Sequence, residues 1–302
     1  MDNRQNSTIN WYPGHMAKTK KQIAEDLKLI DVVIEILDAR IPIASRNPDI
    51  ETLIQEKKKI VLLNKCDLAD EKENQKWVEY YQEQKIPAIL TDANEGKGIP
   101  ETIRMIEKIT KEEKESALQK GRTGRTIRIM VLGIPNVGKS SFINRIAKKT
   151  TAIVGNKPGV TKQKQWVRVN QNIELLDTPG VLWPKFQNEE IALHLAYTGT
   201  IKDDILEKIE VAYYFLKFML EKHIELLKKR YGIEEEAIMQ LWHSEDRMEN
   251  ENIMEIFHMI GKKRGAILAG GIIDEEKTAN ILLEDFKSGK LGRITIETYL
   301  KS

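Results

Sequence analysis

Cysteine is almost absent from this 302-residue chain. Cys66 stands alone, so no internal disulfide can form and no cysteine-based structural zinc site can be built; the redox compartment is reducing or irrelevant. Long apolar stretches are missing too. No run reaches the roughly eighteen apolar residues that a membrane-crossing helix needs. The N-terminal MDNRQNSTINWYPGHM has neither the apolar core of a signal peptide nor the Arg/Ser bias of a transit peptide. A cytoplasmic protein with no membrane partner is the expectation. The five histidines, His15, His194, His223, His243 and His258, show no metal-ligand spacing, and no internal repeat or low-complexity tract is visible. Charge of one sign is also lacking, the net value being +2, but it is unevenly spread. Residues 1–199 carry 32 basic against 26 acidic side chains and residues 200–302 carry 16 against 20, which permits a polyanion partner without demanding one.

What is present is enough apolar sequence for a buried core and enough length for about two domains. Residues 15–30 read as helix, followed by a short buried strand at 32–37 that ends at Asp38. Residues 51–58 read as helix, 60–63 as strand ending at Asn64, 72–84 as helix and 88–90 as strand. Strands alternating with helices predict an α/β fold with a doubly wound, mostly parallel sheet. The charged stretch 111–125 looks like a connector, strand pattern restarts at 126–132, and 166–169 with 173–176 look like a hairpin. Beyond Pro184 the pattern turns helical, with Ile205, Ile209, Tyr213, Leu216, Leu220, Ile224 and Leu227 on one stripe that stops near Gly232; the stripe and the aromatics Trp183, Tyr213, Tyr214, Phe215 and Trp242 read as core. The expected division is a sheet domain over 1–183, a linker over 184–204 and a smaller all-helical domain over 205–302.

Gly133, Ile134, Pro135, Asn136, Val137, Gly138, Lys139 and Ser140 follow the strand at 127–132 and precede a helical stretch at 141–148, the strand–loop–helix setting of a phosphate-binding loop. In that setting the backbone N–H groups from Asn136 through Ser141 would face phosphates at a helix start, Lys139 would reach the β/γ oxygens, and the Ser140 hydroxyl would bind Mg²⁺. Asp177, Thr178, Pro179 and Gly180 follow the strand at 173–176. Asp177 could hold Mg²⁺ through water and Gly180 could offer its N–H to a γ-phosphate. Between these motifs, Pro158, Gly159, Val160 and Thr161 supply a threonine able to close over γ-phosphate and Mg²⁺. Asn64, Lys65, Cys66 and Asp67 end another strand, where the Asp67 carboxylate can accept the paired N1–H and amine protons of guanine. Adenine lacks that pair and would leave a buried carboxylate unsatisfied, at a cost of about 1–3 kcal/mol. Thr91, Asp92, Ala93 and Asn94 follow the next strand and could turn the Ala93 N–H toward guanine O6.

Together these residues resemble P-loop GTPases of the translation-factor class, with the motif order permuted: 64–67, 91–94, 133–140, 158–161, then 177–180. A circular permutation keeps the three-dimensional site and moves the termini, and it ties the 177–180 switch directly to the C-terminal helices. Trp11, Tyr12, Pro13, Gly14, His15, Met16, then Asp38, Ala39, Arg40, Ile41, Pro42, and the stretch 262–271 narrow the resemblance to the ribosome biogenesis GTPase A family. Permuted GTPases that work on the small subunit carry an N-terminal OB barrel or a cysteine-rich zinc module, neither of which is visible here. The resemblance implies a GTP/GDP-binding hydrolase that acts, as a monomer, on a large-subunit precursor and its rRNA.

It also shapes the mechanism. Gly180 is followed by Val181 and Leu182, so the glutamine that orients water in many small GTPases is missing. His15 is the internal candidate for that task, beside Lys139 and Thr161. Asn136 stands where potassium-activated members of the class bind K⁺, whose charge would do the work of an arginine finger. Lys262, Lys263 and Arg264, with Lys18, Lys20 and Lys21 as a second cluster, are the candidates for rRNA phosphates.

Overall fold

A computed structural model of the chain describes residues 21–54, 57–119, 125–151, 166–176, 178, 189–201, 207–242 and 248–299, with the backbone alone at 49–50, 113–114, 117 and 148–151. Two compact units emerge: residues 1–186 together with 295–302, and residues 187–294.

In the first unit six strands lie in the order β3-β2-β1-β4-β6-β5: β1 (Val32–Asp38), β2 (Lys58–Asn64), β3 (Ala88–Thr91), β4 (Ile127–Leu132), β5 (Trp166–Asn170) and β6 (Ile173–Leu176). Among the described strand pairs only β5–β6 is antiparallel. β1 is central and buried along its whole length, which is why VVIEILD carries apolar residues on both faces rather than alternating. Glu35 in its middle is buried at 1% exposure and pairs with Lys59 of β2. Helical residues 21–27 form α1, followed by α2 (Pro48–Ile54), α3 (Glu71–Glu83), α4 (Ile99–Ile109), α5 (Lys111–Gln119) and α6 (Lys139–Thr151). Ile23 and Leu27 of α1 pack with Val33, Ile54, Met130 and Leu132, while Trp77, Val78 and Tyr81 of α3 pack with Leu37, Val61 and Leu63. Asp70 starts α3 by accepting from the N–H groups of Lys72 (2.8 Å) and Glu73 (3.0 Å).

The chain runs outward from β1 through β2 to β3, then returns to place β4 on the other side of β1. In an open α/β sheet that reversal opens a crevice at the carboxyl ends of the strands, where ligands bind. Register aligns Asp38 with Asn64 and Asn64 with Thr91, so three polar residues sit in a row along that edge.

The second unit is helical: α7 (Glu189–Tyr197), α8 (Lys208–Lys222), α9 (Ile224–Tyr231), α10 (Glu235–Trp242), α11 (Glu249–Lys263), a 3₁₀ turn (Ala269–Gly271) and α12 (Glu275–Lys287). Phe215 of α8 packs against Phe286 of α12 and Tyr197 of α7, with ring centroids 4.8 and 5.2 Å apart. Arg230 makes a two-pronged pair with the buried Asp285, both bonds 2.8 Å. Gly261 lets α11 approach α12: a Cβ there would lie 2.5 Å from the Thr278 hydroxyl and 2.8 Å from an Ile273 methyl. Gly261→Ala is therefore expected to destabilise this unit by about 1–3 kcal/mol, the usual cost of overpacking, read as a lowered urea midpoint.

Several elements differ from the sequence expectation. The stretch 111–125, expected as a connector, begins with helix α5, because its Glu, Lys, Ala and Leu residues are good helix formers. Lys58, expected in a helix, opens β2. Ile205 lies outside the described residues, and the rest of the stripe, Ile209 to Leu227, is divided between α8 and α9 at His223, whose φ of −143° is not helical. Helix α7 lies within the stretch expected as a linker, and residues 295–299 belong with the sheet rather than with the helices. No helix among the described residues is long and apolar enough to cross a membrane.

Candidate nucleotide site

Loops leaving β1, β2, β3 and β4 at their carboxyl ends bring the 64–67, 91–94 and 133–140 segments together. Asn64, buried at the end of β2, is the junction. Its Nδ2 donates to the Val137 carbonyl of the phosphate loop (2.7 Å), and its Oδ1 accepts from the Thr91 hydroxyl (3.2 Å) and the Ala93 N–H (3.0 Å). One amide thus ties three motif loops. Gly138 fits only because it has no side chain: φ is +100° and a Cβ would come within 2.2 Å of Asn64 Nδ2. Gly133 packs the start of the same loop onto β1, where a Cβ would meet the Ile36 carbonyl oxygen at 2.7 Å.

Lys139 opens α6 and is largely buried; Ser140 beside it is exposed and Ser141 partly so. Asn136 is exposed in the loop with φ +61°, a left-handed conformation that asparagine tolerates better than most residues. These placements give the start of α6 a cation and an exposed hydroxyl, chemistry that suits a polyphosphate and a hard divalent cation.

Lys65 has φ +59°, and its ammonium donates to Asp38 Oδ2 at 2.9 Å. Asp38 also accepts from Arg40 through Nε (2.9 Å), Nη2 (2.8 Å) and the backbone N–H (3.1 Å). Burial pushes the Asp38 carboxyl up, but Arg40 and Lys65 outweigh it and hold the group well below the usual carboxylate range. Asp67 is exposed at the rim. Asp92, expected to contact nucleotide, turns its Oδ1 onto the N–H groups of Asn94 (2.9 Å) and Glu95 (3.2 Å), shaping its own loop. The Ala93 N–H, expected to face guanine O6, is given to Asn64 instead. Arg145 of α6 reaches the Ala93 carbonyl at 3.4 Å, a brace that no motif announced. Thr178 donates its hydroxyl to the Val131 carbonyl of β4.

His15, Thr161, Asp177 and Gly180 lie outside the described residues, as do Lys18 and Lys20. In the helical unit Lys262 and Lys263 are exposed, and Lys262 lines a groove of about 840 Å³ with Met254, His258 and Ile267. Arg264 is occupied differently: it donates to the Arg230 carbonyl at 2.6 Å and lies over the Tyr231 ring at 5.0 Å.

Similarity to known proteins decides the family. The chain is 46% identical over 290 residues to Ribosome biogenesis GTPase A of Bacillus cereus, covering 96% of this chain and 94% of that protein. It is 45% identical over 291 residues to the protein of the same name from Priestia megaterium, covering 96% of each. The chain belongs to the ribosome biogenesis GTPase A family. It is a P-loop enzyme that hydrolyses GTP, and its setting is ribosome biogenesis. A GNP-bound YlqF from T. maritima superposes with a TM-score of 0.60 at 28% identity, over 93% of this chain and 98% of that one. A profile described as a 50S ribosome-binding GTPase matches residues 128–251. That match opens in β4 and leaves 64–67 outside, as a permuted order of motifs requires in this family.

Proposed function

We propose that the chain is a nucleotide switch for assembly of the large ribosomal subunit. It binds the precursor in its GTP form, hydrolyses GTP when the particle stimulates it, and leaves in its GDP form. The match to a profile described as a 50S ribosome-binding GTPase carries this reading. Asp67 reads guanine, with Asn64, Lys65, Thr91, Asp92 and Ala93 shaping the base pocket, while the backbone from Asn136 to Ser141 and that of Gly180 cradle the phosphates. The oxygen donors Ser140, Thr161 and Asp177 suit Mg²⁺, which when bound neutralises phosphate charge. Asn136 helps hold K⁺ and His15 orients the attacking water. Exposed Lys262 and Lys263 meet rRNA phosphates, and Arg264 supports the helix end that presents them.

The test is GTP turnover in KCl and in NaCl, alone and with purified large or small ribosomal subunits. Large subunits are expected to raise turnover at least about tenfold in KCl, with less effect in NaCl and none from small subunits. His15→Ala should remove most of that stimulation while leaving GDP binding intact. Equal stimulation by both subunits, or by neither, would overturn the assignment of the partner; equal rates in the two salts would remove K⁺.

A further inference from the structure

Residues 295–299 reach the side of the sheet that carries the 64–67 segment. Residues 295–299 form a strap between helix α3 and the loop after β1. On the α3 side, the Asp70 N–H donates to Thr295 Oγ1 (3.0 Å), the Trp77 indole N–H to the Glu297 carbonyl (2.9 Å), and the Tyr299 N–H to Glu73 Oε2 (2.9 Å). The Tyr299 ring closes this side against Trp77 and Tyr80, with centroids 5.5 and 5.3 Å apart. On the other side the Ile296 N–H donates to the Arg40 carbonyl (2.9 Å). The Glu297 carboxylate, only 8% exposed, accepts from the N–H groups of Ile43 (2.5 Å) and Ala44 (3.1 Å).

The strap grips the loop that carries Arg40, Arg40 grips Asp38, and Asp38 holds the Lys65 ammonium. On its other side it grips α3, whose Asn74 donates to the Cys66 carbonyl (2.9 Å). Both edges of the 64–67 segment are thus held by groups that the strap pins. The Glu297 carboxylate thus ties residue 297 to two backbone N–H groups of a loop more than 250 positions away in sequence.

We propose that Glu297 is a positioning residue for the guanine site, acting through residues 38–44 on Lys65. The inference rests on the reading of residues 64–67 as the guanine-binding segment. With Glu297 intact, Lys65 is fixed at the edge of the base pocket; when the strap lifts, the loop relaxes, Asp38 no longer holds Lys65 in place, and nucleotide leaves faster. By reciprocity, whatever lifts the strap is favoured by nucleotide release to the same extent. Residues 295–299 come directly after the helical unit in the chain, so a partner engaging that unit has a covalent route to nucleotide affinity that bypasses the γ-phosphate switch.

The experiment is release of a fluorescent GDP analogue from the full-length protein, with parental protein, Glu297→Ala, Lys65→Ala and the double variant, and far-UV circular dichroism to establish folding. Glu297→Ala is expected to raise the dissociation rate about tenfold with association little changed, the size of a lost charge-assisted hydrogen bond. In the Lys65→Ala background the same substitution should change release less than about twofold. A full tenfold effect there would overturn the proposal, since Glu297 would then support the unit as a whole. Glu297→Gln keeps the volume and one acceptor; it is expected to fold and to release GDP about threefold faster, and it carries the test if the alanine variant does not fold. Asp67→Asn separates the two readings. If it leaves the preference for GDP over ADP unaltered, the guanine site itself is misassigned; if it abolishes that preference while both Glu297 variants release GDP at the parental rate, only the role of the strap is lost.

Discussion

Asn64→Ala is expected to weaken GDP binding by about 10²–10³-fold, far more than the removal of one base contact would. The side chain is 3% exposed and makes three hydrogen bonds within one protein unit. Removing it orphans the Val137 carbonyl and the Ala93 N–H together. Buried groups left without partners cost about 1–3 kcal/mol each, and relaxing to recover partners would displace the phosphate loop or the base loop. Either response spoils a preorganised site. Isothermal titration with GDP at low temperature, on protein shown to be folded, measures the loss. An affinity within about threefold of the parent would mean that the three loops hold their places without the junction. Gly138→Ala attacks the same junction from the other side, since its Cβ would press on Asn64 Nδ2 while φ stays at +100°. Asn64→Asp should fail as well, because a carboxylate can still accept from Thr91 and Ala93 but cannot donate to Val137.

How much of the site is legible in the residues divides along sequence distance. The phosphate loop announces itself because its glycines, Lys139 and Ser140 are consecutive, and their flanking strand and helix are local patterns. The 64–67 segment announces itself because an apolar strand stops at a polar tetrad. What local pattern cannot express is register. That Asp38, Asn64 and Thr91 form one row depends on how three separate strands align, and only the fold decides it. Asp92 shows a local use that the tetrad's place after a strand does not reveal: its Oδ1 takes the two N–H groups just ahead of it in the turn. Glu297 is the extreme case. A lone glutamate in ITIETYL carries no motif, and its partners are a loop near the other end of the chain. The connector that became α5 has a milder cause: its exposed residues are good helix formers with little apolar periodicity to mark them, and the break at His223 is a helix end that periodicity cannot locate.

Lys139→Ala is expected to lower stimulated GTP turnover by about 10³-fold or more, the scale seen when a preorganised charge is removed from a developing anion. The structure sharpens this beyond the motif. Lys139 is largely buried at the first residue of α6, so its ammonium acts in a poorly screened setting where the phosphate charge would be felt strongly. The adjacent Ser140 is exposed and keeps its hydroxyl for Mg²⁺ in the variant, so the loss should not come from the metal. Two readouts separate binding from chemistry. If the ammonium serves ground state and transition state alike, GTP affinity should fall and the rate at saturating GTP should survive. If it is aimed at charge that builds on the β/γ oxygens, saturation cannot restore the rate. The second outcome is expected, and Lys139→Arg should not rescue it: a planar guanidinium is larger than the ammonium and cannot occupy the same buried space at the start of α6 without moving the loop that Asn64 anchors.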